Sequence, residues 1–168
     1  MRSRVNDNNG PILVVDDDPM LRTSLTRILR TEGHDVIDTA SGPEALSMIR
    51  NYRPRLVILD TSLRGMDGEM VLGTAKAELG RHAPPMILLT HTKAQSDRAD
   101  ALGALASLCK PFRVETLLEL AEQFRTMEEH GDSSQSGVIR IPTAARHAQV
   151  DLDGALLRAV SEPHLATG

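Results

Sequence analysis

The sequence predicts an α/β fold: a five-stranded parallel sheet, doubly wound with helices on both faces, as five βα units followed by a C-terminal tail. Three observations predict it. Five short apolar runs recur at regular spacing, "ILVV" (12–15), "DVIDT" (35–39), "RLVILD" (55–60), "PMILLT" (85–90) and "ALASLC" (104–109). Helical patterns fill the four gaps between them, and a fifth follows the last run. Runs one, three and four are continuously apolar, as strands covered on both faces must be.

The elements follow in order. Residues 1–9, "MRSRVNDNN", are polar and carry no apolar core of a secretory signal, so they read as a flexible N-terminus. The first helix places Leu21, Leu25, Ile28 and Leu29 on one face, with Asp18 as its cap and Pro19 at its first position. Strand two is half polar and suits a sheet edge. The second helix opens on "SGPE", where Ser41 and Glu44 have capping-box spacing, and buries Leu46 and Ile49. The third helix, about 68–79, buries Val71, Ala75 and Leu79. The fourth, "KAQSDRADAL", is weak, with little beyond Ala94, Ala101 and Leu102 to bury. The fifth carries Leu117, Leu120, Ala121 and Phe124. The globular unit therefore spans 10–127. Residues 128–168 read as a linker and short tail, with an amphipathic pattern for one helix near 151–161 (Leu152, Leu156, Leu157, Val160).

Composition narrows the function. The chain has 168 residues, a net charge of −4 and only three aromatic residues, Tyr52, Phe112 and Phe124. Its core must be aliphatic, and its charge argues against a broad nucleic-acid-binding face. The single cysteine, Cys109, excludes an internal disulfide and fits a reducing cytoplasm. No apolar run approaches membrane-spanning length.

The chemistry gathers at strand ends. Strand one runs into Asp16, Asp17 and Asp18, strand three ends in Asp60, strand four in Thr90, and Lys110-Pro111 follows strand five. Ligands of open parallel sheets bind outside the carboxyl ends of the strands. Adjacent carboxylates repel, and a hard divalent cation, most plausibly Mg²⁺, relieves that repulsion. The cation also lets a phosphoryl anion approach a carboxylate, with Lys110 supplying a point charge and Thr90 a hydrogen bond.

These residues resemble the receiver domain of two-component response regulators. The resemblance rests on "DD" at 16–17, "LVILD" ending at Asp60, "MDG" at 66–68, "LLT" ending at Thr90 and "KPF" at 110–112, five short motifs in order. It implies the sheet order 2-1-3-4-5 of flavodoxin-like signalling proteins. It implies Asp60 as phosphoacceptor, and Asp16, Asp17, Asp60 and the Ser62 carbonyl as the Mg²⁺ site. Thr90 becomes the switch hydroxyl, and Lys110, before a cis Lys110–Pro111 bond, the phosphate-pairing cation. The implied partners are a histidine kinase or histidine phosphotransfer protein, and a downstream protein on the face of helix 4, strand 5 and helix 5, with homodimerisation open. No enzymatic turnover, direct nucleic-acid contact or membrane association is expected.

The chain departs from the family at three positions. Ser107 replaces the usual switch aromatic, His91 follows the switch hydroxyl where a small residue is usual, and Arg64 replaces a proline. Three other readings stay open. One is a receiver-fold scaffold that works without phosphorylation. Another is a haloacid-dehalogenase-like phosphohydrolase, with Asp16 as nucleophile and Asp18 as acid/base. The third is the N-terminal fragment of a receiver–phosphodiesterase regulator.

Overall fold

A computed structural model describes residues 10–129. The strands are β1 (Ile12–Val15), β2 (Val36–Thr39), β3 (Leu56–Asp60), β4 (Met86–Thr90) and β5 (Ala106–Cys109). Between and after them run α1 (Pro19–Thr31), α2 (Gly42–Tyr52), α3 (Gly68–Leu79), α4 (Lys93–Ala101) and α5 (Val114–Glu129). The sheet is parallel throughout, in the order β2-β1-β3-β4-β5, as expected. The N-terminal residues 1–9, the linker from residue 130 and the helix expected near 151–161 lie outside the described residues.

Alternation along each strand divides the core into two layers. One contains Ile12, Val14, Ile58, Ile87 and Leu89 with Leu25 and Leu29 of α1 and Leu117, Leu120 and Ala121 of α5. The other contains Leu13, Val15, Val57, Leu59 and Leu88 with α2, α3 and Ala99 of α4. β1, β3 and β4 are buried along their whole length because both faces are covered. Among the described residues the buried core is aliphatic, as the composition requires; Tyr52 is exposed, and Phe112 and Phe124 pack, partly buried, against the first layer.

The caps hold with one revision. Asp18 Oδ1 accepts from the backbone N–H groups of Met20 (2.9 Å) and Leu21 (3.4 Å). Ser41 Oγ accepts from the Glu44 N–H (3.3 Å), but the Glu44 carboxylate takes the Thr39 hydroxyl instead of closing the box. The reciprocal box forms on α4, where Thr92 caps the Gln95 N–H and the Gln95 side chain returns to the Thr92 N–H.

The face expected of α4 is corrected. Ala94 and Ala101 are exposed and Leu102 is 42% exposed, whereas Ala99 is fully buried. The inward face is set by Ser96 and Ala99, three residues apart, which a search for apolar spacing does not weight correctly. Among the described residues, no helix is long and apolar enough to cross a membrane.

Candidate functional site

The strand order puts β1 and β3 side by side, so their C-terminal carboxylates converge. Asp16 and Asp60 are buried and Asp17 is half-buried. One carboxylate oxygen from each lies within 4.8 Å of the others. Asp18 is not among them, because its side chain caps α1. The residue to which the phosphohydrolase reading gave the acid/base role is thus engaged as a helix cap.

Lys110 reaches across from the far side of the sheet. Its Nζ lies 3.0 Å from Asp16 Oδ2 and 3.2 Å from Asp60 Oδ1. The contact with Asp16 is a hydrogen bond, whereas Asp60 Oδ1 has charge proximity but no aligned donor and is buried without a hydrogen-bond partner. Asp16 also accepts from the Asp18 N–H at 2.9 Å. Burial pushes the Asp16 carboxyl above its ordinary pKa. The Lys110 and Asp18 bonds pull it back, and the Asp60 charge pushes it up again. The Lys110–Pro111 peptide is cis, as expected, and the Lys110 N–H donates to Thr90 O at 2.6 Å.

These residues fit a hard divalent cation. The donors are all oxygens, three carboxylates gather beside one half-buried ammonium, and one buried oxygen lacks a hydrogen bond. Asp16, Asp17 and Asp60 could hold the metal. Ser62 stands two residues beyond Asp60 in the loop after β3, its hydroxyl 3.1 Å from His91 Nδ1.

Gly68 explains the "MDG" motif physically. It begins α3, its N–H donates to Thr61 O, and any Cβ there would collide with the Asp60 carbonyl oxygen. A glycine thus lets the helix start close against the end of β3. Asp67 just before it caps the helix through the Met70 N–H at 2.8 Å.

Thr90 is fully buried at the end of β4. Its Oγ1 lies 2.8 Å from Ser96 Oγ on α4 and 3.3 Å from Leu108 O on β5. Ser107, at the expected aromatic position, is buried and donates to Asp100 Oδ1 at 3.3 Å. His91 is exposed, with its N–H held by Gln95 Oε1 at 2.8 Å.

Sequence reasoning missed three contacts. Arg64 Nε pairs with Asp17 Oδ2 at 3.2 Å, though the guanidinium is 93% exposed. Arg22 Nη1 donates to Asp16 O at 2.7 Å and buttresses the strand end. Ser96 Oγ bonds the Thr90 hydroxyl. A serine or arginine on a polar segment gives no periodic signal, so only the fold reveals these.

Known proteins agree with this geometry. A family model described as the response regulator receiver domain matches residues 12–122. The chain is 40% identical over 112 residues to the DNA-binding response regulator MtrA of Mycolicibacterium smegmatis, covering 64% of this chain and 46% of that one. It is 28% identical to the sporulation initiation phosphotransferase F of Bacillus subtilis, over 73% of this chain and 98% of that one. The receiver domain protein of Methanospirillum hungatei superposes with a TM-score of 0.65 at 31% identity, over 73% of this chain and 98% of that one. The chain spans about half the length of the MtrA relatives it matches. Five parallel strands in receiver order, converging carboxylates opposite a lysine, and a family match over most of the described residues lead to one conclusion: the chain belongs to the response regulator receiver domain family of two-component systems.

Proposed function

We propose that this chain accepts a phosphoryl group on Asp60 from a phosphohistidine, as one step of a two-component phosphorelay. The observation that carries the reading is the buried Asp60 carboxylate set between Asp16, Asp17 and the Lys110 ammonium. An oxygen of Asp60 forms a bond to phosphorus as the donor's N–P bond breaks, and the departing imidazole keeps the electron pair. Lys110 turns from Asp16 and Asp60 toward a phosphoryl oxygen, and Thr90 donates a hydrogen bond to another. Asp16, Asp17, Asp60 and the Ser62 carbonyl would hold Mg²⁺, which would neutralise the charge that otherwise keeps phosphate from carboxylate.

On this reading the chain is not a turnover enzyme. It assists only its own phosphorylation and dephosphorylation, in the cytoplasm. Its donor is a histidine kinase or histidine phosphotransfer protein, a reading supported by the likeness to the Bacillus subtilis phosphotransferase. The output is a protein contact on the α4–β5–α5 face. The DNA-binding role in the MtrA name is that protein's, and this chain matches about half of it.

A phosphorylation-independent scaffold is the second reading. The Arg64–Asp17 pair favours it, because a guanidinium already offsets charge at the site. A small phosphodonor separates the two. With Mg²⁺ it should leave one acyl phosphate that hydroxylamine removes, and a chelator should prevent its formation. No modification at saturating donor would support the scaffold.

A further inference from the structure

Thr90 has a single hydroxyl proton and two hydrogen-bond neighbours. A carbonyl can only accept, so Thr90 donates to Leu108 O, and Ser96 donates to Thr90. Leu108 belongs to β5 and Ser96 to α4, so the switch hydroxyl ties a helix to the sheet.

That tie matters because α4 has little else beneath it. Ala99 is its one buried residue, and polar ties join the helix to neighbouring elements. Ser107 donates to Asp100, Arg98 pairs with Glu69 of α3 at 3.1 Å, and Lys76 of α3 donates to Leu102 O at 2.8 Å. A helix held by polar contacts to neighbouring elements opens at low free-energy cost.

Asp60 and Leu108 lie on opposite sides of Thr90. The order β3-β4-β5 puts the acceptor strand on one flank of β4 and the Leu108 carbonyl on the other. One proton cannot serve both. To donate to a phosphoryl oxygen on Asp60, the hydroxyl must release the Leu108 carbonyl and turn from β5 toward β3.

We propose that Ser96 is a positioning residue acting through Thr90: it holds the hydroxyl against β5 in the unmodified protein, and phosphorylation of Asp60 breaks the Ser96–Thr90 bond and loosens α4. This rests on the reading of Asp60 as acceptor. It supplies a coupling that needs no aromatic at position 107, since the message passes through the hydroxyl pair. Linkage makes it reciprocal. If occupancy at Asp60 opens the latch, removing the latch must favour occupancy by the same factor.

The test uses the full chain with Mg²⁺ and beryllofluoride, a mimic of the phosphoryl group. Wild type, Ser96→Ala and Ser96→Thr are compared by amide exchange over 93–101 and by fluorine NMR titration. Alanine favours helix more than serine, so faster exchange in Ser96→Ala cannot be blamed on propensity. In wild type, beryllofluoride should speed exchange across α4. Unliganded Ser96→Ala should already exchange about three- to tenfold faster, the factor one such hydrogen bond commands, and bind beryllofluoride more tightly by a similar factor. Ser96→Thr, which keeps the hydroxyl, should behave as wild type. Wild-type exchange in Ser96→Ala, or equal beryllofluoride affinity in a wild type that binds it, overturns the latch alone. Failure of all three proteins to bind beryllofluoride overturns the acceptor reading of Asp60, and the latch with it.

Discussion

Three carboxylates gather beside the half-buried Lys110 ammonium at the ends of β1 and β3, and the exposed Arg64 guanidinium sits on Asp17. Arg64 therefore competes with any metal for that carboxylate. Its exposure keeps the pair weak and open to salt screening. Arg64→Gln should tighten Mg²⁺ binding by about two- to fivefold at low ionic strength, with the difference vanishing in high salt. Calorimetric titration reads this directly, and weaker binding in the variant would mean that Arg64 supports the site instead of competing for it. Gly68 acts on the same site through the backbone. Gly68→Ala forces a methyl against the Asp60 carbonyl and the Thr61 Cα, which only a shift of that backbone or of α3 relieves. A loss of about 1–3 kcal/mol in urea unfolding is expected, the usual cost of overpacking. Wild-type stability would show that α3 slides freely. The convergence of Asp16, Asp17 and Asp60 with Lys110 was legible in the sequence because such residues are unusual at strand ends. Ser96 and the Arg64 pair were not, because each is an ordinary polar residue until the fold supplies its neighbour.

Helices α1, α2, α3 and α5 announce themselves by apolar spacing, since each buries branched side chains against the sheet. The fourth helix does not, and the expected face was wrong for a physical reason. Its seat is one alanine and its inner contacts are hydroxyls, so apolar periodicity points to Ala94 and Ala101, which face solvent. The same sparse seating makes the Ser107 position informative. Its hydroxyl is buried between β5 and α4 and bonds Asp100. Ser107→Tyr replaces that tie with a ring that must displace the helix or leave the pocket. The variant should lose about 1–3 kcal/mol of stability. It should also enlarge the change in amide exchange over 92–124 when beryllofluoride binds. An exchange response equal to that of wild type would show that an aromatic at this position adds nothing to a hydroxyl latch.

The sheet order and the alternation of its strands bring residues as far apart as Asp16 and Lys110 into one cluster. An aliphatic core on both faces fixes the strand ends, and fixed strand ends hold the charges together. The edges are guarded as well. Arg30 donates to Val36 O on β2, and Arg22 pairs with Asp38 there, so the exposed edge offers fewer free groups to another strand. The fold class and sheet order were legible because doubly covered strands read as continuous apolar runs. The order itself came by resemblance, since strand spacing alone does not say which strands are neighbours. All of this architecture leads to one carboxylate. The most direct test is the intact mass of the whole chain after incubation with a small phosphodonor and Mg²⁺, for wild type and Asp60→Asn. Wild type should gain the mass of one phosphoryl group and Asp60→Asn none. Equal labelling of the two proteins, or none in wild type, would contradict the account.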